Sequence, residues 1–278
     1  MTEWIPEKIL TALIESGRTA LSYYDAPEAR LKSDRSIVTA ADHAIEKDLI
    51  ALLEEPDAGS YVIGEETVDT KSQSYIDEAF KKIAWIVDPI DGTAPYAHHI
   101  PMWGVSIARM ENGVITDGGI YLPVIGEIFI SDGSKILYSS KADATTMSDL
   151  SPIETSKTPP EPSKMIAVTQ SVVKHGSFTL DNPAQALACA VVPLTYILLG
   201  RYMGYMGTLK LWDIAGCLAL LDRAGFYCVM QNGLEVGCKV TNDVFRLEPD
   251  DPRRWFIRDR LYCGSTKEVV DYLLRGIS

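Results

Sequence analysis

Ala84-Trp85-Ile86-Val87-Asp88-Pro89-Ile90-Asp91-Gly92-Thr93 begins as an unbroken apolar run and ends as a charged turn. The run is the pattern of a strand buried on both faces of a sheet. Its end places two aspartates three residues apart, around a proline and ahead of a glycine, where a turn can aim both carboxylates one way. Carboxylates within about 4 Å repel one another by roughly 4 kcal/mol per pair at an effective dielectric of ~20, and a divalent cation removes that penalty. Such hard oxygen donors suit magnesium or manganese rather than zinc. Gly92 and Thr93 then offer backbone N–H groups where a phosphate oxygen can sit. The plain alternative is a tight turn with a capping aspartate.

Outward from this turn, three other segments carry acids in suggestive places. Tyr61-Val62-Ile63-Gly64 reads as a short strand delivering Glu65 and Glu66 at its end. Thr39 caps a helix running to Leu53 and puts Asp42 at the third helical position. Leu211-Trp212-Asp213 opens an apolar helix that ends near Ala224-Gly225. Taken singly, Asp42 and Asp213 are ordinary caps and Glu65 an ordinary surface acid. Their weight comes from occurring together.

The remaining patterning is that of an α/β protein. Residues 5–24 form an amphipathic helix, residues 75–82 another, and 103–110 and 118–130 antiparallel strands with a hairpin at Pro123 and Gly126. Residues 145–162 turn to Ser, Thr and Pro, which predicts a connection between one domain over 1–147 and a second over 163–278. In the second, 165–169 is a strand and 183–200 a buried helix with Pro193 inside. The box Ser265-Thr266-Lys267-Glu268 announces a last helix that stops at Gly276.

Composition narrows the partners. A formal net charge of -12 sets the chain against nucleic acid and anionic lipid, since either is repelled at long range. Five cysteines without a C-x-x-C pair indicate neither a disulfide framework nor a zinc ribbon. The acidic start Met1-Thr2-Glu3-Trp4 lacks the pattern of a secretory signal, and the longest apolar run, 186–200, falls short of the roughly 20 residues a membrane span needs. The expectation is a cytoplasmic protein. His98 and His99 follow the metal turn and are read as solvated.

Four blocks together resemble the inositol monophosphatase family, part of the lithium-sensitive, magnesium-dependent phosphatases. They are Ile37-Val38-Thr39-Ala40-Ala41-Asp42 with Glu46, Ile63-Gly64-Glu65-Glu66-Thr67, Trp85 to Thr93, and Trp212-Asp213-Ile214-Ala215-Gly216 with Ala224-Gly225. The resemblance implies a layered alpha-beta-alpha-beta-alpha sandwich, often dimeric. It makes Glu65, Asp88 and the Ile90 carbonyl ligands of one Mg2+, and Asp88, Asp91 and Asp213 ligands of a second, with a weaker third ion near Glu65 and Mn2+ as an alternative metal. Asp42, Thr93 and Glu65 would serve catalysis, while Gly92, Thr93 and Asp213 contact the phosphate or substrate. The implied reaction is hydrolysis of a small phosphorylated polyol or sugar, inositol monophosphate-like, by direct attack of a metal-activated water.

The chain departs from that pattern in its substrate region. The Gly-Ser or Gly-Thr step usual at the helix before the last ligand is compared with Pro183-Ala184-Gln185-Ala186-Leu187 and is absent, and a substrate-contacting acid is replaced near Met206. Residues 32–39 and 101–104 lean toward histidinol-phosphate phosphatases of the same family. A catalytically silent relative that binds a phosphorylated ligand is the alternative of another class. A haloacid-dehalogenase phosphatase would space its motif acids two apart, against three here.

Overall fold

The computed structural model describes residues 1–32, 36–141, 145–155 and 157–276. In chain order the elements are α1 (Pro6–Tyr23), β1 (Arg30–Leu31), β2 (Ile37–Val38), α2 (Ala40–Leu53), β3 (Ser60–Gly64), α3 (Gln73–Lys81), β4 (Ile83–Asp91) and α4 (Thr93–Ala97). There follow β5 (Gly104–Glu111), β6 (Val114–Leu122), β7 (Glu127–Asp132), β8 (Lys135–Ser139), β9 (Ser151–Pro152), β10 (Ile166–Thr169) and α5 (Gln170–His175). The chain closes with β11 (Ala184–Leu187), α6 (Val191–Leu198), β12 (Gly204–Gly207), α7 (Leu211–Arg223), β13 (Tyr227–Met230), β14 (Leu261–Gly264) and α8 (Lys267–Leu273).

Strands β3 to β9 form a seven-stranded sheet in sequence order, and β11-β10-β12-β14-β13 a five-stranded one. Alternation of side chains along a strand divides the interior into layers. From β4, Trp85 and Val87 pack with Ile9, Leu13 and Ile45 of α1 and α2, while Ala84 and Ile86 join the core built by α6 and α7. That second core continues into the five-stranded sheet through Tyr205, Cys228 and Cys263. The far face of this sheet, including Ile166, Val168 and Met206, packs on Val172 of α5 and Val269 and Leu273 of α8. The order is therefore helix, sheet, helix, sheet, helix.

Two elements differ from the sequence reading. Residues 183–200 are strand β11 followed by helix α6, since Ala184–Leu187 pairs in parallel with β10. Pro193 is the third residue of α6, in the first turn, where its missing N–H costs no helical bond. The last helix is capped by Thr266, whose hydroxyl accepts from the Val269 N–H at 3.2 Å, one residue later than the box at Ser265 predicts. Among the described residues no helix is long and apolar enough to cross a membrane.

Candidate metal centre

Period-two alternation would send Asp88 and Asp91, three apart, to opposite faces of β4. The register shows how the chain avoids this. Asp88 pairs with Ser106 and Asp91 with Gly104, so one extra residue is bulged on β4, at the point where Pro89 has no N–H to give the ladder. The bulge reverses the parity and turns both acids toward one cavity of about 350 Å³. Gly92 follows at φ 93°, a left-handed conformation in which a Cβ would also press on the Met102 carbonyl at 3.0 Å.

The other acids arrive on neighbouring elements. Parallel pairing sets Gly64 beside Val87, so that Glu65, the next residue, lands beside Asp88 and its N–H donates to the Val87 carbonyl at 3.3 Å. Asp213 is the third residue of α7, and its Oδ2 accepts from the Lys210 N–H at 2.8 Å. Helix α7 reaches the sheet because Gly118 and Gly216 meet without side chains; a Cβ on Gly118 would lie 2.1 Å from the Gly216 carbonyl oxygen. One carboxylate oxygen each from Glu65, Asp88 and Asp213 falls within 4.8 Å of the others.

Both Asp88 oxygens are buried without a hydrogen-bond donor. Burial, and then the charges of Glu65, Asp91 and Asp213, push the Asp88 carboxyl well above its ordinary range. Asp213 is raised for the same reasons, burial first and then Asp91 and Glu65. An orphaned buried carboxylate between two others is the environment that a hard divalent cation satisfies, so the residues present fit magnesium or manganese.

Asp91 stands slightly apart from this trio. Its Oδ2 accepts from the Ala190 and Val191 N–H groups at 2.6 Å each and from the Cys189 thiol at 3.0 Å, at the opening of α6. Burial nevertheless lifts its carboxyl to about 6 against those donors. The helix before Asp213 thus opens at Ala188-Cys189-Ala190 rather than in the stretch 183–187, and Cys189 stands at its entrance.

Asp42 both caps and faces the site. Its Oδ2 accepts from the Thr39 N–H at 2.8 Å and from the Thr39 hydroxyl at 2.5 Å, while Oδ1 lies 3.5 Å from the Thr93 hydroxyl. That hydroxyl also lies 3.1 Å from the Ile90 carbonyl. Burial raises the Asp42 carboxyl to about 6, with the Thr39 donors opposing it.

Asp91 and Asp213 also line a second cavity of about 240 Å³, bounded by Thr169, Gln170, Cys189 and Tyr205. Met206 points the other way, fully buried against the outer helices, so the strand presents Tyr205 to the cavity instead. His98 and His99 are exposed. Sequence reasoning missed two cations: the ammonium groups of Lys32 and Lys210 lie 3.4 Å and 3.7 Å from Glu65 Oε1. Lys210, three residues before Asp213 at the mouth of an otherwise apolar helix, was the available signal.

The family model described as Inositol monophosphatase family matches residues 7–255. Inositol monophosphatase 1 of Homo sapiens is 29% identical over 203 residues, covering 68% of this chain and 69% of its own. Nus factor SuhB of Xylella fastidiosa is 30% identical over 151 residues, 52% of this chain and 54% of its own. Among solved structures, the extragenic suppressor protein suhB of Bartonella henselae superposes with a TM-score of 0.73 at 22% identity, over 96% of this chain and 95% of that one.

Proposed function

This chain belongs to the inositol monophosphatase family of phosphoric monoester hydrolases, and we propose that it releases phosphate from a small polyol or sugar phosphate at the cluster of Glu65, Asp88 and Asp213. The observation that carries the reading is Asp88, buried with both oxygens lacking a donor and flanked by the other two acids. Glu65, Asp88, the Ile90 carbonyl, Asp91 and Asp213 would hold Mg2+ or Mn2+, two or three ions. When bound, such ions lower the pKa of water, neutralise phosphate oxygens and stabilise a departing alkoxide.

The chain's own groups divide the rest of the work. Gly92 and Thr93 N–H groups, at the turn into α4, hold a phosphate oxygen. The Thr93 hydroxyl has Asp42 and the Ile90 carbonyl as alternative acceptors. It can therefore receive a proton from the attacking water on oxygen while passing its own to Asp42. A carboxyl poised near 6 suits that exchange at neutral pH. The alcohol part of the substrate fits the adjoining cavity, whose walls offer Thr169 and Gln170. Those neutral donors favour hydroxyl groups over charges.

Phosphate release from inositol, histidinol, fructose and adenosine phosphates with magnesium, and then with added lithium, tests the reading. Asp213→Asn is expected to lower turnover by at least about a thousandfold, roughly 4 kcal/mol of transition-state stabilisation. Near-normal turnover in that variant excludes the assignment. In this reading the protein works on soluble metabolites in the cytoplasm, inhibited by lithium and built as a homodimer.

A further inference from the structure

Helix α2 buries a stripe that ordinary packing would make apolar throughout: Ala41, Asp42, Ile45, Glu46, Leu49 and Leu53 face inward. Ile45 and Leu49 join Trp85 and Val87 of β4 in one core, as such a stripe should. Asp42 and Glu46 are both 0% exposed among them. Four residues apart, they share one side of the helix. Asp42 is explained by the Thr39 cap and the Thr93 hydroxyl. Glu46, in mid-helix, caps nothing, and its Oε1 is buried without a donor. A half-satisfied carboxylate in the interior is costly, so its other oxygen should have a specific partner.

That partner is the turn after β3. Glu46 Oε2 accepts from the Glu66 N–H at 2.8 Å. One residue earlier, the Glu65 N–H donates to the Val87 carbonyl at 3.3 Å. The peptide planes on either side of the Glu65 Cα are thus held, one by β4 and one by α2. Because each plane is rigid, holding both fixes φ and ψ of the residue between them and so the direction of its side chain. Gly64 leaves room for this contact: a Cβ there would lie 2.5 Å from both Cδ and Oε1 of Glu46. Gly64 and Glu46 therefore fit one another across the space between β3 and α2.

We propose, resting on the reading of Glu65 as a metal ligand, that Glu46 is a positioning residue for the metal centre: through the Glu66 N–H it fixes the backbone that aims the Glu65 carboxylate at Asp88 and Asp213. Helix α2 then sets two parts of the site at once, Glu65 through Glu46 and Thr93 through Asp42.

Calorimetric titration of Mn2+ into the full-length protein tests this in a double-mutant cycle. Glu46→Leu is expected to weaken binding about tenfold to a hundredfold, as loss of a group that orients a metal ligand does. Glu46→Gln keeps an oxygen acceptor for the Glu66 N–H and should restore most of that affinity. The decisive arm is the Glu65→Gln background. There Glu46→Leu should cost nothing further, because a residue that acts through Glu65 has no carboxylate left to aim. Equal losses in both backgrounds overturn the proposal, as does an unchanged affinity in Glu46→Leu with Glu65 intact. If circular dichroism shows that Glu46→Leu does not fold, Gly64→Ala takes its place in the same cycle, since its methyl displaces the Glu46 carboxylate from the opposite side. A different failure, Glu65→Gln binding Mn2+ as tightly as the wild type, removes Glu65 from the metal centre and overturns that assignment together with the role given to Glu46.

Discussion

Asp88 is the residue on which the site turns, and its cost is measurable in the protein without metal. Burial, reinforced by Glu65 and Asp91, holds its carboxyl well above the ordinary 3.8, and burial holds Asp42 and Asp91 at about 6. A carboxyl raised by folding stabilises the native state below its unfolded value and loses that contribution as pH rises through the folded value. The metal-free protein is therefore expected to lose thermal stability between about pH 4 and pH 7. Asp88→Asn should flatten that loss and melt several degrees higher than the wild type at pH 7, since each kcal/mol is about 2–4 °C for a chain of this size. Calorimetric melting in EDTA across this range checks it, and a variant that melts lower at every pH contradicts it. Asp42→Asn belongs to the same scale. It should slow phosphate release by about a hundredfold or more while leaving manganese affinity near that of the wild type, the signature of a proton acceptor rather than a ligand. Equal loss of metal affinity and rate would reassign Asp42 to structure.

At the scale of elements, the site depends on how closely α7 approaches the sheet. Gly118→Ala drives a methyl into the Gly216 carbonyl, which only a shift of the helix can relieve. The expected cost is about 1–3 kcal/mol, read from urea unfolding, with loss of the Asp213 contribution to metal binding. An unchanged midpoint would mean that the contact is looser than drawn. Much of this scaffold was legible beforehand. The apolar run ending at Asp88, the cap at Thr39 and the helix opening at Leu211 all announce themselves locally, because strand period, capping chemistry and Gly-Pro turns act over a few residues. Residues 183–200 did not, since four residues as short and mixed as Ala184 to Leu187 fit strand and helix alike and only pairing with β10 decides. The bulge that turns Asp88 and Asp91 to one side was invisible for the same reason: parity depends on the register against β5. Lys32 and Lys210 were missed because their partner, Glu65, lies 33 and 145 residues away in sequence.

For the molecule as a whole, the trio draws on distant parts of the chain. Asp88 belongs to the seven-stranded sheet, Glu65 directly follows its strand β3, and Asp213 belongs to a helix packed between the two sheets. A cation bound there ties these layers together and offsets local repulsion in a protein whose net charge is already -12. Magnesium at about a hundred times its dissociation constant should add about 2.7 kcal/mol to the stability of the wild type. Asp213→Asn should keep little of that gain. The central claim, that distant acids converge to hold a hard divalent ion, is tested most directly by a crystal soaked in manganese. Anomalous scattering is expected between the carboxylates of Glu65, Asp88 and Asp213, whereas a fully soaked crystal with those oxygens turned apart and no anomalous peak among them would contradict it.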